Sequence, residues 1–477
     1  MRILLIISVL FNVAFNQCLG DFDENGLLDI LDIVSIVNQI MEGNDECIDE
    51  GQYGCTDILA CNYDSGATID NGSCIYSNDQ LCGECDNAGI EYPDYYEFND
   101  YNGNSTVRYS GQVVRNIIVD DMKDYVYSNP EFLVSMYEND ETNLAREISF
   151  LPEEVNSIQV TYGDISTSRL SNKIAQISDN NGVSNIEVYG YNMEPDQLMM
   201  SWFESANSGT YTLDGLNLAH MIQKGLLGMV IYYQGISKYL GNLFLADNSE
   251  PYGDNYYTQM EHYWDESFGY FGASKDYLYR NFSEVMQGYN DTNNDNLIDF
   301  LSEVSTGYSV ITVKRDNDSF GHYNFKDAIV NAYLNGRTQI TCGGSEAEID
   351  VQRQIIINNW EKVIAATTIH YINDTINDID DSSQWVNSWD SSCIYTHEIC
   401  ADYSKHFSKM RATAIALQYN RYKMISDSDL YYLYDLMQTA PIFPSQGDLI
   451  QFKSELLIAR DILQTVYGFD SNVVNEW

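Results

Sequence analysis

Two stretches of this sequence place oxygen-bearing groups at alternate positions around a short turn, a spacing that suits a hard cation such as calcium. In the first stretch, positions 1, 3, 5, 7, 9 and 12 of a calcium loop are taken by Asp21, Asp23, Asn25, the backbone carbonyl of Leu27, Asp29 and Asp32. Gly26 stands at position 6, where the chain must turn sharply. The apolar residues that follow have helical spacing. We therefore predict a calcium-binding module over residues 18–48.

The second stretch, residues 291–303, repeats this spacing within the C-terminal half. Positions 1, 3, 5, 7 and 9 are taken by Asp291, Asn293, Asp295, the carbonyl of Leu297 and Asp299. Asn296 stands at position 6 and tolerates a positive φ angle. Position 12 is Ser302, so we expect Glu303 to be the last ligand. The alternative is an Asn/Asp-rich surface turn that binds no ion.

A third candidate site combines nitrogen and oxygen ligands. His262 and Glu266 are four residues apart and Asp265 is three from His262, so all three share one face of a helix. One imidazole with two carboxylates suits iron or another transition metal. The alternative is structural: His262 bonds to Asp265 or Glu266 while Trp264 is buried in the core.

We predict structural roles for three further histidines, His220, His370 and His406. His370 belongs to a largely apolar helix face, and Lys405 and Lys409 disfavour a bound cation beside His406.

No serine-hydrolase elbow, phosphate loop, dinucleotide fingerprint or His-Glu-x-x-His motif is present in the sequence. We therefore predict a non-enzymatic protein. A hydrolase remains an alternative, because 71 acidic residues always offer a carboxylate pair.

The charge balance argues against binding to nucleic acid or to anionic lipid. Lysine and arginine number 24 against 71 acidic residues, which gives a net charge of −47. Such a chain is repelled by nucleic acid and by anionic lipid, so we expect neither as a partner.

The N-terminal sequence predicts export. Arg2 precedes a short apolar run over residues 3–15, which indicates a signal peptide of residues 1–17 rather than a membrane span. Seven of the ten cysteines precede residue 90, and clustered cysteines in an exported chain indicate disulfides. We expect a cysteine-rich module at 52–89, pairing of Cys393 with Cys400, and a periplasmic, cell-surface or extracellular location.

Beyond residue 105 the pattern is helical. Apolar residues recur at i, i+3 and i+4 over 213–240, 327–334, 346–372, 397–418 and 449–467. This predicts a mainly α fold of helices packed on helices. Gly225 and Gly228 interrupt one helix, which indicates close packing at that point.

Several of these segments resemble known families. Residues 21–39 resemble a single dockerin repeat, and residues 54–74 resemble a cysteine repeat of marine bacterial secreted proteins. Residues 213–228, 261–272, 359–373 and 405–412 resemble the imelysin-like group of exported bacterial domains, over about 105–477. That group carries a Gly-x-His-x-x-Glu signature, from which the spacing around His262 departs.

The imelysin-like resemblance implies an all-α domain of two bundled halves, linked to iron uptake or metal binding. Our leading hypothesis is an exported, non-enzymatic metal-binding protein with structural calcium at two loops and iron or another transition metal near His262. One alternative is a cell-surface or matrix adhesion protein that is tethered to an extracellular protein by its small modules. The other is a peptidase-like hydrolase.

Overall fold

The computed structural model of the protein describes residues 53–54, 68–70, 93–100, 102–179, 181–381 and 385–477. The predicted signal peptide, the calcium ligands at 21–32 and most of the cysteine-rich module lie outside the described residues. The chain divides into two units, Met1–Tyr76 and Ser77–Trp477. In the first unit, strands β1 (Tyr53–Gly54) and β2 (Ile69–Asp70) pair in parallel.

The second unit is built from helices, and its described α-helices are α1 (Ser110–Ser128), α2 (Leu133–Glu138), α3 (Glu141–Leu144), α4 (Tyr162–Ile165), α5 (Pro195–Ala206), α6 (Leu218–Leu226), α7 (Gln259–Phe271), α8 (Phe282–Gln287), α9 (Gly307–Asn317), α10 (Phe325–Thr341), α11 (Glu346–Asp380), α12 (Glu398–Ile415), α13 (Asp427–Met437), α14 (Leu449–Tyr467) and α15 (Ser471–Glu476). Short 3₁₀ helices occupy Pro130–Phe132, Leu240–Leu245, Tyr277–Tyr279, Ser391–Tyr395 and Ala416–Tyr419.

Helix α11 is the longest described helix, and it lies at the centre of the helices that pack around it. Its start is fixed by a reciprocal cap, in which the Ser345 side chain accepts the Glu348 N–H and the Glu348 carboxylate accepts the Ser345 N–H. It contacts α10, α12 and α14. Its middle turns are enclosed on all sides, with Trp360, Ala365 and Ala366 fully buried. A helix surrounded in this way must carry apolar residues around its whole circumference.

The segment after α6 winds as a π-helix, Leu227–Tyr239, and is almost entirely buried. Two glycines let it approach its neighbours. A Cβ atom at Gly228 would come within 2.8 Å of the backbone of Ala416, and one at Gly235 within 2.9 Å of the Trp360 ring. The close packing predicted at Gly228 is therefore confirmed.

The fold class predicted from the sequence is confirmed at the level of a mainly helical domain. Each of the five periodic segments overlaps an observed helix. Cys393 and Cys400 form the expected disulfide. None of the described helices is both long and apolar enough to span a lipid bilayer.

Helices α7 and α10 meet at a glycine. The indole N–H of Trp264 donates to the Tyr333 carbonyl at 2.9 Å, which lays the ring across Gly336. A Cβ atom at Gly336 would lie 2.1 Å from that ring. No side chain larger than hydrogen fits there unless Trp264 moves.

We expect Gly336→Ala to destabilise the domain by roughly 1–3 kcal/mol, because the cost of overpacking exceeds the ~1 kcal/mol gain in helix propensity. Urea unfolding followed by circular dichroism measures this difference. Asn331→Ala, at an exposed position of the same helix, is the control and should leave stability almost unchanged. A Gly336→Ala protein as stable as the control would contradict the packing described.

Candidate functional site

In the loop at residues 291–303, side-chain oxygens point toward the backbone of the loop itself. The two carboxylate oxygens of Asp291 accept the backbone N–H groups of Asp295, at 3.1 Å, and Asn296, at 2.8 Å. The Asn293 side-chain oxygen accepts the Asp295 N–H at 2.9 Å. Asn296 has φ +66°, as expected at the turn position. The first half of the loop is therefore wrapped around its own oxygen atoms.

Glu303 closes the loop from its far end. One of its oxygens accepts the Thr292 N–H at 2.8 Å, and the other accepts the Asp299 N–H at 2.9 Å. The residue is only 4% exposed. Glu303 rather than Ser302 thus returns a carboxylate to the loop, and its role as a calcium ligand stays a prediction.

Asp299 is held differently. Its carboxylate accepts the Leu301 N–H and the hydroxyl of Ser302, and it also receives the side-chain amide of Gln159 at 2.9 Å. These partners lie outside the wrapped half of the loop. Among the predicted ligands, the structure therefore gathers Asp291, Asn293 and Asp295, adds Glu303, and engages Asp299 elsewhere.

The loop is docked on the segment that follows α3. The Ile298 N–H donates to Asn156 and the Ile298 carbonyl accepts from Ile158, both at 2.9 Å. The Phe300 N–H donates to the Gln159 side chain at 2.9 Å. The conformation of the loop is thus coupled to that of residues 156–159.

Arg280 lies beside the start of the loop. Its guanidinium donates to the Asn290 carbonyl at 3.3 Å and pairs with Asp276 at 2.6 Å. Among the described residues, no three His, Cys, Asp or Glu side chains are placed to hold a metal ion. Calcium binding here stays a prediction.

The candidate transition-metal residues separate onto two faces of α7. The Nε2 atom of His262 lies 3.5 Å from the Glu266 carboxylate, and the imidazole stacks on Tyr257 with ring centroids 4.9 Å apart. Burial lowers the pKa of His262. His262 and Glu266 are brought together, as expected of residues four apart.

Asp265 faces the interior instead. Its carboxylate accepts from the Arg337 guanidinium at 2.9 Å and from the Tyr96 hydroxyl at 2.8 Å. Glu261 accepts from the same guanidinium at 2.7 Å. Arg337, Glu261 and Asp265 are each 0% exposed, so this triad is a buried ion cluster. The structure therefore does not bring Asp265 to His262.

His370 and His406 were predicted to have separate structural roles, but they lie together between α11 and α12. Asp374 lies 3.4 Å from His370 Nε2 and 3.9 Å from His406 Nε2, and Asp378 lies 2.7 Å from His406 Nδ1. Burial lowers the pKa of His370 to about 3. The spacing of Asp374 and Asp378, four and eight residues after His370, was the sequence signal for this group.

Glu361 is a buried carboxylate without a cationic partner in the described chain. It accepts hydrogen bonds from the Tyr467 hydroxyl and the Met424 N–H, both at 2.7 Å, and from the Asn420 amide. Burial raises its pKa to about 7. The group is therefore held by neutral donors and titrates near neutral pH.

A family model described as "Domain of unknown function (DUF4856)" matches residues 93–393. The match begins before the helical domain predicted at 105–477 and stops before α12. No curated protein and no solved structure matches the chain.

Glu361 predicts a specific pH dependence of stability. Because burial raises its pKa from 4.5 to about 7, the folded state binds this proton more tightly than the unfolded state. The resulting stabilisation is fully present below pH 4.5 and is lost as the pH rises through 7. Glu361→Gln cannot ionise, so wild-type stability should fall relative to the variant by roughly 1–3 kcal/mol between pH 5 and pH 8.

Urea unfolding of both proteins at the two pH values measures that change. Glu346→Gln, at an exposed position of the same helix, is the control and should keep a constant difference from wild type. A difference between wild type and Glu361→Gln that did not vary with pH would show that Glu361 is not a protonated buried acid.

Proposed function

This chain belongs to the DUF4856 family, a domain of unknown function, and we propose that it is an exported, non-enzymatic protein whose helical domain binds calcium at residues 291–303. The observation that supports this proposal is the inward hydrogen bonding of Asp291, Asn293 and Asp295 together with the return of Glu303 to the same loop. Export rests on the apolar run at residues 3–15.

The chemistry of the donor set fits calcium. Carboxylate, amide and carbonyl oxygens are the ligands that calcium prefers, and this loop offers no nitrogen or sulfur ligand. Asp291, Asn293, Asp295 and Glu303 would hold the ion, together with the carbonyl of Leu297. A divalent cation would offset the repulsion among carboxylates crowded into 13 residues of chain.

Calcium at this position has a structural role in the proposal. The loop joins α8 to α9, and it is tied to residues 156–159 through Ile298 and Phe300. An ion that binds the folded loop and not the unfolded chain stabilises the fold by an amount that rises with the logarithm of its free concentration, about 2.7 kcal/mol at a hundredfold excess over its Kd. The first loop, with ligands at 21–32, would act in the same way in the N-terminal module.

A transition metal near His262, the second part of the original hypothesis, has less support. The neighbouring pair His262 and Glu266 favours it, with 3.5 Å between the nitrogen and the carboxylate. The engagement of Asp265 with Arg337 weighs against a three-ligand site. The resemblance to the imelysin-like group, which motivated iron, remains part of this proposal.

Calcium binding predicts that EDTA lowers the melting temperature of the full-length protein. Asp21→Ala and Asp23→Ala remove the predicted calcium ligands of the first loop. Any remaining effect of calcium on the melting temperature then comes from the loop at residues 291–303. In that background, adding Asp291→Ala and Asp295→Ala should abolish the remaining dependence of the melting temperature on calcium. Bound calcium, measured by elemental analysis after desalting, should fall from one ion per chain to none.

The matched control is Asp254→Ala, which removes an exposed carboxylate elsewhere and should leave calcium binding intact. A protein with Asp21→Ala and Asp23→Ala that binds no calcium even with residues 291–303 intact would refute the proposal. Retention of one ion after Asp291→Ala and Asp295→Ala would place the site elsewhere.

A further inference from the structure

Residues 150–159, here called the flap, are hydrogen-bonded to the rest of the helical domain through the loop at residues 291–303. Every hydrogen bond that the flap makes to another segment of the described chain ends at residues 298–300. The flap contributes the Asn156 carbonyl, the Ile158 N–H and the side chain of Gln159 to these bonds. The docking of the flap therefore depends on the conformation of one short stretch of the loop.

The two ends of the flap are fixed without the loop. Just outside the flap, the Ile148 N–H donates to the Val160 carbonyl at 3.0 Å and closes its base. Helix α4 then begins at a reciprocal cap formed by Thr161 and Asp164. Loss of the contacts with the loop would therefore free the flap without unfolding its base.

The flap itself buries little. Gln159, which is 8% exposed, is its only buried side chain. Phe150 is half-buried and packs edge-on against Phe300, with ring centroids 6.2 Å apart. Because a segment with so few buried contacts has low local stability, its hydrogen bonds to the loop decide whether it stays ordered.

One peptide group joins the proposed calcium site to the flap. The carbonyl of Leu297 is a proposed calcium ligand, and the N–H of Ile298, which donates to Asn156, belongs to the same trans peptide. A trans peptide is planar, and its C=O and N–H point in opposite directions. An ion that holds the carbonyl therefore also directs the N–H toward the flap and strengthens it as a donor.

Glu303 connects the site to the flap by a second route. One of its carboxylate oxygens accepts the Thr292 N–H near the start of the loop, and the other accepts the Asp299 N–H. The Asp299 carboxylate in turn accepts from the Gln159 amide. An ion that fixes Glu303 therefore also fixes the backbone that presents Asp299 to the flap.

Electrostatic repulsion gives this coupling its direction. The flap carries Glu153 and Glu154, the loop carries four acidic residues, and neither segment contains lysine or arginine. The two segments repel each other when no cation is bound. A divalent ion cancels two of the four negative charges of the loop, so its binding favours the docked flap.

We infer that calcium at residues 291–303 controls the docking of the flap. This inference rests on the proposed function and adds a regulatory role to the same site. With calcium bound, the flap stays docked through Gln159. When calcium is removed, the flap detaches while its base and the surrounding helices stay folded. Its release separates Phe150 from Phe300 and opens the chain at Glu153 and Glu154 to proteases.

Hydrogen exchange followed by mass spectrometry tests this inference in the full-length protein carrying Asp21→Ala and Asp23→Ala. In EDTA, peptides covering residues 151–160 and 296–303 should exchange about tenfold faster or more than in calcium, because the hydrogen bonds between flap and loop are lost. Peptides of α11 should stay protected over the same time in both conditions. Loss of protection in α11 as well would show that calcium holds the whole domain together, and would overturn the inference.

A glutamate-specific protease gives an independent measurement on the same protein. In EDTA its first cuts should fall after Glu153 or Glu154, whereas in calcium these bonds should survive. Equal rates of cleavage there in calcium and in EDTA would contradict the release of the flap.

Gln159→Ala separates the docking of the flap from the binding of the ion. The variant should still bind one calcium ion, but its flap should exchange rapidly even in calcium, because the buried amide that holds Asp299 is gone. Gln197→Ala, at an exposed position of α5, is the matched control and should exchange like the parent protein. A flap as well protected in Gln159→Ala as in the control would also overturn the inference.

Elemental analysis of the same samples distinguishes failure of the inference from failure of the proposed function. If the protein binds one calcium ion but the exchange of the flap does not respond to it, the inference is wrong and the calcium site stands. If the protein binds no calcium, the proposed function is refuted and the inference falls with it.

Discussion

Arg337 is fully enclosed in the helical domain, and its guanidinium can remain there only because two carboxylates of α7, Glu261 and Asp265, neutralise it. A buried charge that lost its partner would cost roughly 3–5 kcal/mol, so the three groups fix one another's positions. The contact between Gly336 and Trp264 lies beside this cluster and sets the distance between the same two helices. The register of α7 against α10 is thereby determined, and with it the pairing of Asp265 with Arg337.

The sequence was informative where the signal is local. Helical periodicity located the long helices. The alternation of Asp and Asn indicated a compact turn at residues 291–303, and its use as a calcium loop stays a prediction. Both patterns are determined by residues within a few positions of one another. That Cys393 pairs with Cys400 was expected from their proximity in a chain whose N-terminal sequence predicts export.

Contacts between residues far apart in the sequence could not be predicted in this way. Asp265 meets Arg337 72 residues later, and nothing in the spacing around His262 indicates that one of its neighbours is already engaged. The spacing of His370 and Asp374 was visible in the sequence, whereas the proximity of His406 to Asp374 arises only once α11 and α12 are packed together.

The π-helix at Leu227–Tyr239 tolerates insertions and deletions less readily than it tolerates substitutions. Each residue of a helix is turned by roughly 80–100° from the one before, so removing one residue from this segment would turn every later side chain by that amount relative to α6. Gly228 and Gly235 could then no longer face Ala416 and Trp360 together. Homologous chains should therefore exchange side chains here more readily than they gain or lose a residue, and an alignment gap within this segment would mark a different arrangement of the helices around it.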